Sequence, residues 1–216
     1  MPDWILITPW SAALALYGGF LAWYFNWRAP LTSSEADAAV ARLMATGLPM
    51  EGRNDPEILR RFLREDDGRG FYMLNLVRLS PEPIVDPETG TARPARQVME
   101  DYTKVFLPAL FARGGYPALA ARKVGGYFDA WGVEADPGWS ILGYMRYRSR
   151  RDLVALITDP RFSGAHEFKF AAMPRTFSFP SKPQIMTLAP PPVWLALSLA
   201  LAAALAHLAL LHLLIA

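Results

Sequence analysis

The sequence predicts an α+β chain with a membrane-spanning helix at each end, and three observations carry that prediction. Residues 4–27 and 193–216 contain no Asp, Glu, Lys or Arg, although 19% of the 216 residues are charged. Between them, strand-type runs of aliphatic and aromatic residues alternate with stretches whose apolar positions recur at helical spacing. Gly- and Pro-rich breaks separate these segments.

Each terminal stretch is 24 residues long. At about 1.5 Å of rise per residue, that length crosses a hydrocarbon core of about 30 Å. Trp4 and Trp10 mark one end of the first stretch, and Trp23, Tyr24 and Trp27 mark the other. Interfacial aromatics are expected at those depths. Residues 1–3 carry no Lys or Arg, unlike the basic start of a secretory signal, so the stretch reads as an uncleaved anchor. A buried core helix is the alternative reading, but such helices are rarely this long without a charge. The second stretch is Leu- and Ala-rich with Trp194 at its start. Arg28 follows the first span and Lys182 precedes the second. The positive-inside rule therefore predicts an inner (cytoplasmic) membrane protein with its central domain in the cytoplasm and both termini across the bilayer. The absence of cysteine is compatible with either redox compartment.

The spans also carry small-residue stripes. Ser11, Ala15 and Gly19 recur every fourth residue on the first, and Ala196, Ala200 and Ala204 do so on the second. Small residues let helix backbones approach closely inside a membrane, although Ala is also simply common in apolar helices. His207 shares the second stripe, and a polar imidazole at membrane depth is expected to face protein rather than lipid. His207 and His212 are about 140° apart around a helix and cannot grip one metal together. An interhelical hydrogen bond is the expectation for His207, and His212 falls near the interface.

The intervening segment has the size of one ordinary domain. Residues 31–67 read as an N-terminal helical extension. Ser33 or Ser34 caps a helix with Ala36, Ala39, Val40, Leu43 and Met44 at helical spacing, ending near Gly47. Asp55 caps a second, with Pro56 at its first position and Ile58, Leu59, Phe62 and Leu63 inward. Residues 68–183 form the α+β domain. A strand over 71–79 is followed by a Pro/Gly-rich loop over 80–91. A helix over 93–113 is bent at Pro108 and stopped by Gly114 and Gly115. Strands are expected over 117–124 and 139–147, with a turn-rich connection over 127–138. Helical segments cover 149–157 and, capped by Asp159 with Pro160 at its first position, continue to Ala172. A last strand over 176–179 is confined to a sheet edge by Pro180. This β-α-β-β-α-β order is the ferredoxin-like plan, with helices on one face of an antiparallel sheet. A second copy, or in part the N-terminal helices, is expected to cover the other face.

Several pieces match a known group. They are Phe71-Tyr-Met-Leu-Asn-Leu-Val-Arg78, a Tyr102-containing helix ending in Arg113-Gly-Gly115, and Trp139 through Arg146-Tyr-Arg-Ser149. Asp159-Pro-Arg-Phe162, His166 and Lys169-Phe-Ala-Ala-Met173 complete the set. In this combination residues 68–182 resemble an uncharacterised family of the dimeric α/β-barrel superfamily. The resemblance implies a ferredoxin-like fold and a barrel-type dimer. Lys169 stands where it leads one to expect arginine. The wider superfamily includes monooxygenases, haem enzymes and ligand-binding proteins, so fold kinship alone does not assign chemistry.

Catalytic patterns are scarce. The sequence has no cysteine, no HExxH, no Gly-rich phosphate loop, no GxSxG and no paired-histidine spacing. No metal and no cofactor are therefore expected. The net charge of +2 and the lack of a basic motif give no reason to expect nucleic acid. His166, the one histidine between the spans, reads either as a partly exposed helix residue or as a proton shuttle or haem ligand assisted by Asn75 or Tyr102. Asn75, Tyr102, Tyr147, His166 and Lys169 are the ligand-pocket candidates. Tyr72, Tyr102, Tyr127, Trp131, Trp139, Tyr144 and Tyr147 read as core, as dimer contact or as the lining of an apolar pocket. Arg146, Arg148, Arg150 and Arg151 read as a solvated basic face or a surface for anionic lipid, and Asp66 and Asp67 as solvated loop residues. The expectation is a non-catalytic accessory protein, docking through both spans and its α+β domain onto a larger membrane assembly or a second copy. The alternative is a membrane-bound enzyme or binding protein acting on a hydrophobic or aromatic small molecule.

Overall fold

The structure, a computed structural model, describes residues 4–45, 55–86, 89–162 and 165–215. It divides into two compact units, one of Met1–Trp27 with Pro183–Ala216 and one of Arg28–Lys182.

The first unit is a pair of packed helices, α1 (Trp4–Tyr24) and α7 (Pro191–Ile215). Both are long and apolar enough to cross a membrane. α1 ends three residues before the apolar stretch does. α7 begins at Pro191, because proline's fixed φ and missing N–H suit a helix's first turn. The helices pack along a line that differs from the small-residue stripes. On α1 the partly or fully buried positions include Leu6, Pro9, Ala13, Tyr17, Phe20 and Tyr24; on α7 they include Leu195, Leu199, Ala203 and His207. Ala203, only 4% exposed, is the buried position of α7. Ser11, Ala15 and Gly19 face outward, and a Cβ added at Gly19 would meet no atom within 4 Å. Ala196 and Ala204 flank the contact, and Ala200 is exposed.

The second unit is built on a four-stranded antiparallel sheet. Its strands are β1 (Phe71–Arg78), β4 (Tyr116–Arg122), β5 (Ile141–Tyr147) and β6 (Arg175–Ser181), in the order β4-β5-β1-β6. β6 is longer than expected but is an edge strand, as Pro180 requires. A bulge between Pro117 and Leu119 shifts the register of β4 on β5. The loop expected over 80–91 belongs instead largely to a short hairpin, β2 (Ile84–Val85) with β3 (Ala92–Arg93), which runs just past its end. Strands of two residues are too short for an alternation signal.

The helices α4 (Ala95–Ala112), α5 (Arg150–Ile157) and α6 (Ala165–Ala172) complete the unit, with a 3-10 turn over Pro160–Phe162. α4 runs unbroken through Pro108. Phe71 and Tyr147, opposite one another on β1 and β5, pack with Ala109, Leu110, Leu153 and Leu156 in the main core. Odd-numbered residues of β1 and β5 therefore face the helices and even-numbered ones face away.

α2 (Ser33–Ala45) and α3 (Pro56–Arg64) belong to this unit. Thr32, rather than Ser33 or Ser34, caps α2. The Glu35 N–H donates to Thr32 Oγ1 at 3.3 Å, and the Thr32 N–H donates to Glu35 Oε2 at 2.9 Å. That is a reciprocal capping box. Asp55 caps α3 as predicted, accepting the Glu57 N–H at 2.8 Å. The end of α2 expected near Gly47 lies outside the described residues. Both helices pack through Ala36, Val40 and Leu63 against Val154 of α5. Their apolar faces are thus spent on the helical layer and do not cover the other face of the sheet.

Candidate functional site

On the helical side of the sheet, four predicted pocket residues come from four elements: Asn75 (β1), Tyr147 (β5), Tyr102 (α4) and Lys169 (α6). Tyr147 is buried and stacked on Phe71, with ring centroids 5.2 Å apart. Tyr102, Phe106, Met73 and Met145 pack against that core, and Tyr102 stacks on Phe106 one helical turn on. Burial pushes the Tyr102 phenol up to about 12. Tyr147 is raised as well, by burial first and by the neighbouring Tyr102 second. Both phenols are therefore neutral donors near pH 7, not bases.

Lys169 places its Nζ 5.0 Å from the Tyr102 ring centroid, within cation–π range. Burial pushes its ammonium below the ordinary lysine value. Among the described residues it makes no ion pair. Asn75 is tied to the strands, with Nδ2 donating to the Met73 carbonyl at 3.0 Å and to the Gly143 carbonyl at 3.5 Å. His166 precedes Lys169 by three residues on α6, and its side chain lies outside the described residues. A cleft of about 470 Å³ runs between α4, at Val98 and Tyr102, and the β2–β3 hairpin, with Arg93 and Asp101 on its wall. Lys104 and then Arg93 hold the Asp101 carboxyl below its usual range. No three His, Asp or Glu side chains converge as metal ligands among the described residues.

The opposite face of the sheet is apolar and, among the described residues, carries no helix from this unit. Register places Tyr72, Leu74 and Leu76 of β1, Leu142 and Tyr144 of β5, Leu119 of β4, and Phe177 and Phe179 of β6 on it. Phe177 and Phe179 are 44% and 47% exposed. Tyr72 and Tyr144 stack at 5.1 Å. Beside Phe177, Trp139 packs edge-on and donates its Nε1–H to the Tyr127 hydroxyl at 2.8 Å. The loop beginning there leaves Phe128 and Trp131 almost fully exposed, at 99% and 81%. The predicted aromatics therefore fall on two faces and a loop, so they do not line one pocket. The alternation in 71–78 and 175–181 encoded this second apolar face.

The arginine cluster is neither a lipid patch nor a free solvated face. Arg146 is buried and donates to the Gly114 carbonyl at 2.5 Å. Arg148 grips Asp152 with two nitrogens, at 2.8 and 2.7 Å. Arg150 donates to the Phe62 carbonyl, lies over the Phe62 ring, and sits 3.6 Å from Asp66. Arg151 clasps Glu35 of α2. Asp66 is likewise not a solvated residue: its side chain is 2% exposed and accepts the Leu31 N–H at 2.9 Å. Asp67 pairs with Lys182. These cations are consumed in joining elements.

In the first unit, Nδ1 of His207 lies 3.0 Å from the carbonyl of Leu6 on the opposite helix. His212 is exposed.

The chain matches no family model and no curated protein sequence. Two solved structures are similar to it. One is the RPA0582 protein of Rhodopseudomonas palustris, described as a protein of unknown function. It is 24% identical, with a TM-score of 0.48, over 62% of this chain and 94% of that one. The other is methylated RPA0582 protein, at 22% identity and a TM-score of 0.49, over 61% of this chain and 93% of that one.

Proposed function

We propose that this chain is a doubly anchored inner-membrane protein that docks without catalysis, pairing with a second copy through the open face of its sheet. The domain on this reading is ferredoxin-like, of the dimeric α/β-barrel type. The strand order supports that assignment: the fourth sheet strand lies beside the first, the first beside the third, and the third beside the second.

The observation that carries the proposal is the uncovered apolar face. Four strands of about seven residues span roughly 440 Å² before side-chain relief is counted. The loop with Phe128 and Trp131 extends this toward the roughly 800 Å² that each partner contributes to an ordinary interface. The middle of the face has no charge, and the basic residues Arg78 and Arg175 sit together at one end. A self-complementary two-fold contact can bury the apolar middle while leaving those ends wet. The outward stripe of Ser11, Ala15 and Gly19 offers a second contact in the bilayer.

Light scattering of the full chain in mild detergent tests the pairing. A protein mass of two chains is expected, falling to one when Phe177→Glu and Phe179→Glu are combined, with the circular dichroism unchanged. A single-chain mass for the parent refutes the pairing, as does a dimer indifferent to both substitutions. Co-purification of a stoichiometric foreign protein from native membranes would replace the second copy with a larger assembly.

A further inference from the structure

We propose that the helical side of the sheet holds a binding site for a small organic monocarboxylate with an apolar body, anchored by Lys169. The site lies across the sheet from the proposed pairing face, so it stands or falls independently of that reading.

The argument begins with charge. The described acids near this region already have cations: Asp101 has Arg93 and Lys104, Asp152 has Arg148, and Asp159 has Arg113 and Arg161. Lys169 has the face of Tyr102 and no ion pair among the described residues. A ring quadrupole offsets only part of the cost of withdrawing an ammonium from water, and an anion offsets far more. Because the site offers one such cation, it suits one negative charge.

The surroundings fit the rest of such a molecule. Tyr102 and Tyr147 are neutral phenols that can donate to a carboxylate. The walls are Phe106, Met73 and Met145. Unbranched methionines re-pack around an inserted body at low cost. Gly143, opposite Asn75, leaves a notch on this side of the sheet. A Cβ there would meet only Met145 Cε at 3.5 Å and Asn75 Cβ at 3.9 Å.

Thermal unfolding of the detergent-solubilised full chain with benzoate, set against its neutral analogue benzamide, tests the site. Benzoate is expected to raise the midpoint with concentration, and benzamide to leave it in place. Lys169→Met should weaken the benzoate response at least tenfold, and Lys169→Arg should keep most of it. Lys169→Met is also expected to match or exceed the parent's midpoint without ligand, since it removes a partly buried cation that has no ion pair among the described residues. If Lys169 is only a structural prop, the methionine variant will unfold early. Benzoate will then act equally on the parent and the methionine variant, or on neither. Either result overturns the proposal.

Discussion

Gly115 shows how closely backbone and side chains meet where α4 turns into β4. A Cβ built there would lie 2.7 Å from the Arg146 carbonyl and would overlap the Leu110 side chain. Both neighbours are buried, Leu110 in the core and Arg146 through its bond to the Gly114 carbonyl, so neither can retreat into solvent. Gly115→Ala should therefore cost about 1–3 kcal/mol, the ordinary cost of overpacking, read as a lower thermal midpoint. Glu35 carries a different liability. Its hydrogen bonds from Arg151, then from Thr32, hold its carboxyl at about 2 instead of 4.5. A depressed folded-state value means the native state binds the proton less readily than the unfolded chain does. The contribution is thus complete above about pH 4.5 and is lost as pH falls toward 2. Thermal midpoints measured from pH 6 down to pH 3 should fall less steeply in Glu35→Gln than in the parent.

The strands β1 and β5 and the helices α3 and α4 were legible in the sequence because each is long enough to show its period and carries a recognisable stop or cap. The hairpin of β2 and β3 was not, and neither were the partners of the arginines. Arg151 finds Glu35 and Arg150 finds Asp66, across 116 and 84 residues, so the local sequence shows four like charges where the fold makes separate joints. The candidate site was readable as residue types, with Tyr102, Tyr147, Asn75 and Lys169 on one side of the sheet. The division of the aromatics between two faces needed the register. In the terminal helix pair, a spacing of four identified a helix face but not which face meets α7. This yields opposite expectations for two substitutions. Gly19→Leu should leave the stability of the α1–α7 pair unchanged, because nothing lies within 4 Å of the new Cβ. His207→Leu removes the contact to the Leu6 carbonyl and should cost about 0.5–1.5 kcal/mol, near the range measured for hydrogen bonds between membrane helices. Thermal unfolding of both variants in one detergent compares them, and a loss confined to Gly19→Leu would reverse the assignment of faces.

At the scale of the whole molecule, the α+β unit gathers its two chain exits at one end of its sheet. Leu31 bonds to Asp66, and Lys182 pairs with Asp67 next to it. The start of β1 and the end of β6 lie side by side there, since Tyr72 is opposite Ser181. On the proposed reading, both exits lead to spans of one membrane. The positive-inside rule, applied to Arg28 and Lys182, predicts a cytoplasmic domain. The absence of cysteine makes this directly measurable. Single cysteines introduced as Glu82→Cys and Glu134→Cys, both at exposed positions, should resist a membrane-impermeant maleimide in intact spheroplasts. Both should react fully once the membrane is opened. Reaction of both from outside would invert the topology and place the sheet, its open face and Lys169 in the opposite compartment. Reaction of one alone would mean that the polypeptide between the spans does not remain on a single side.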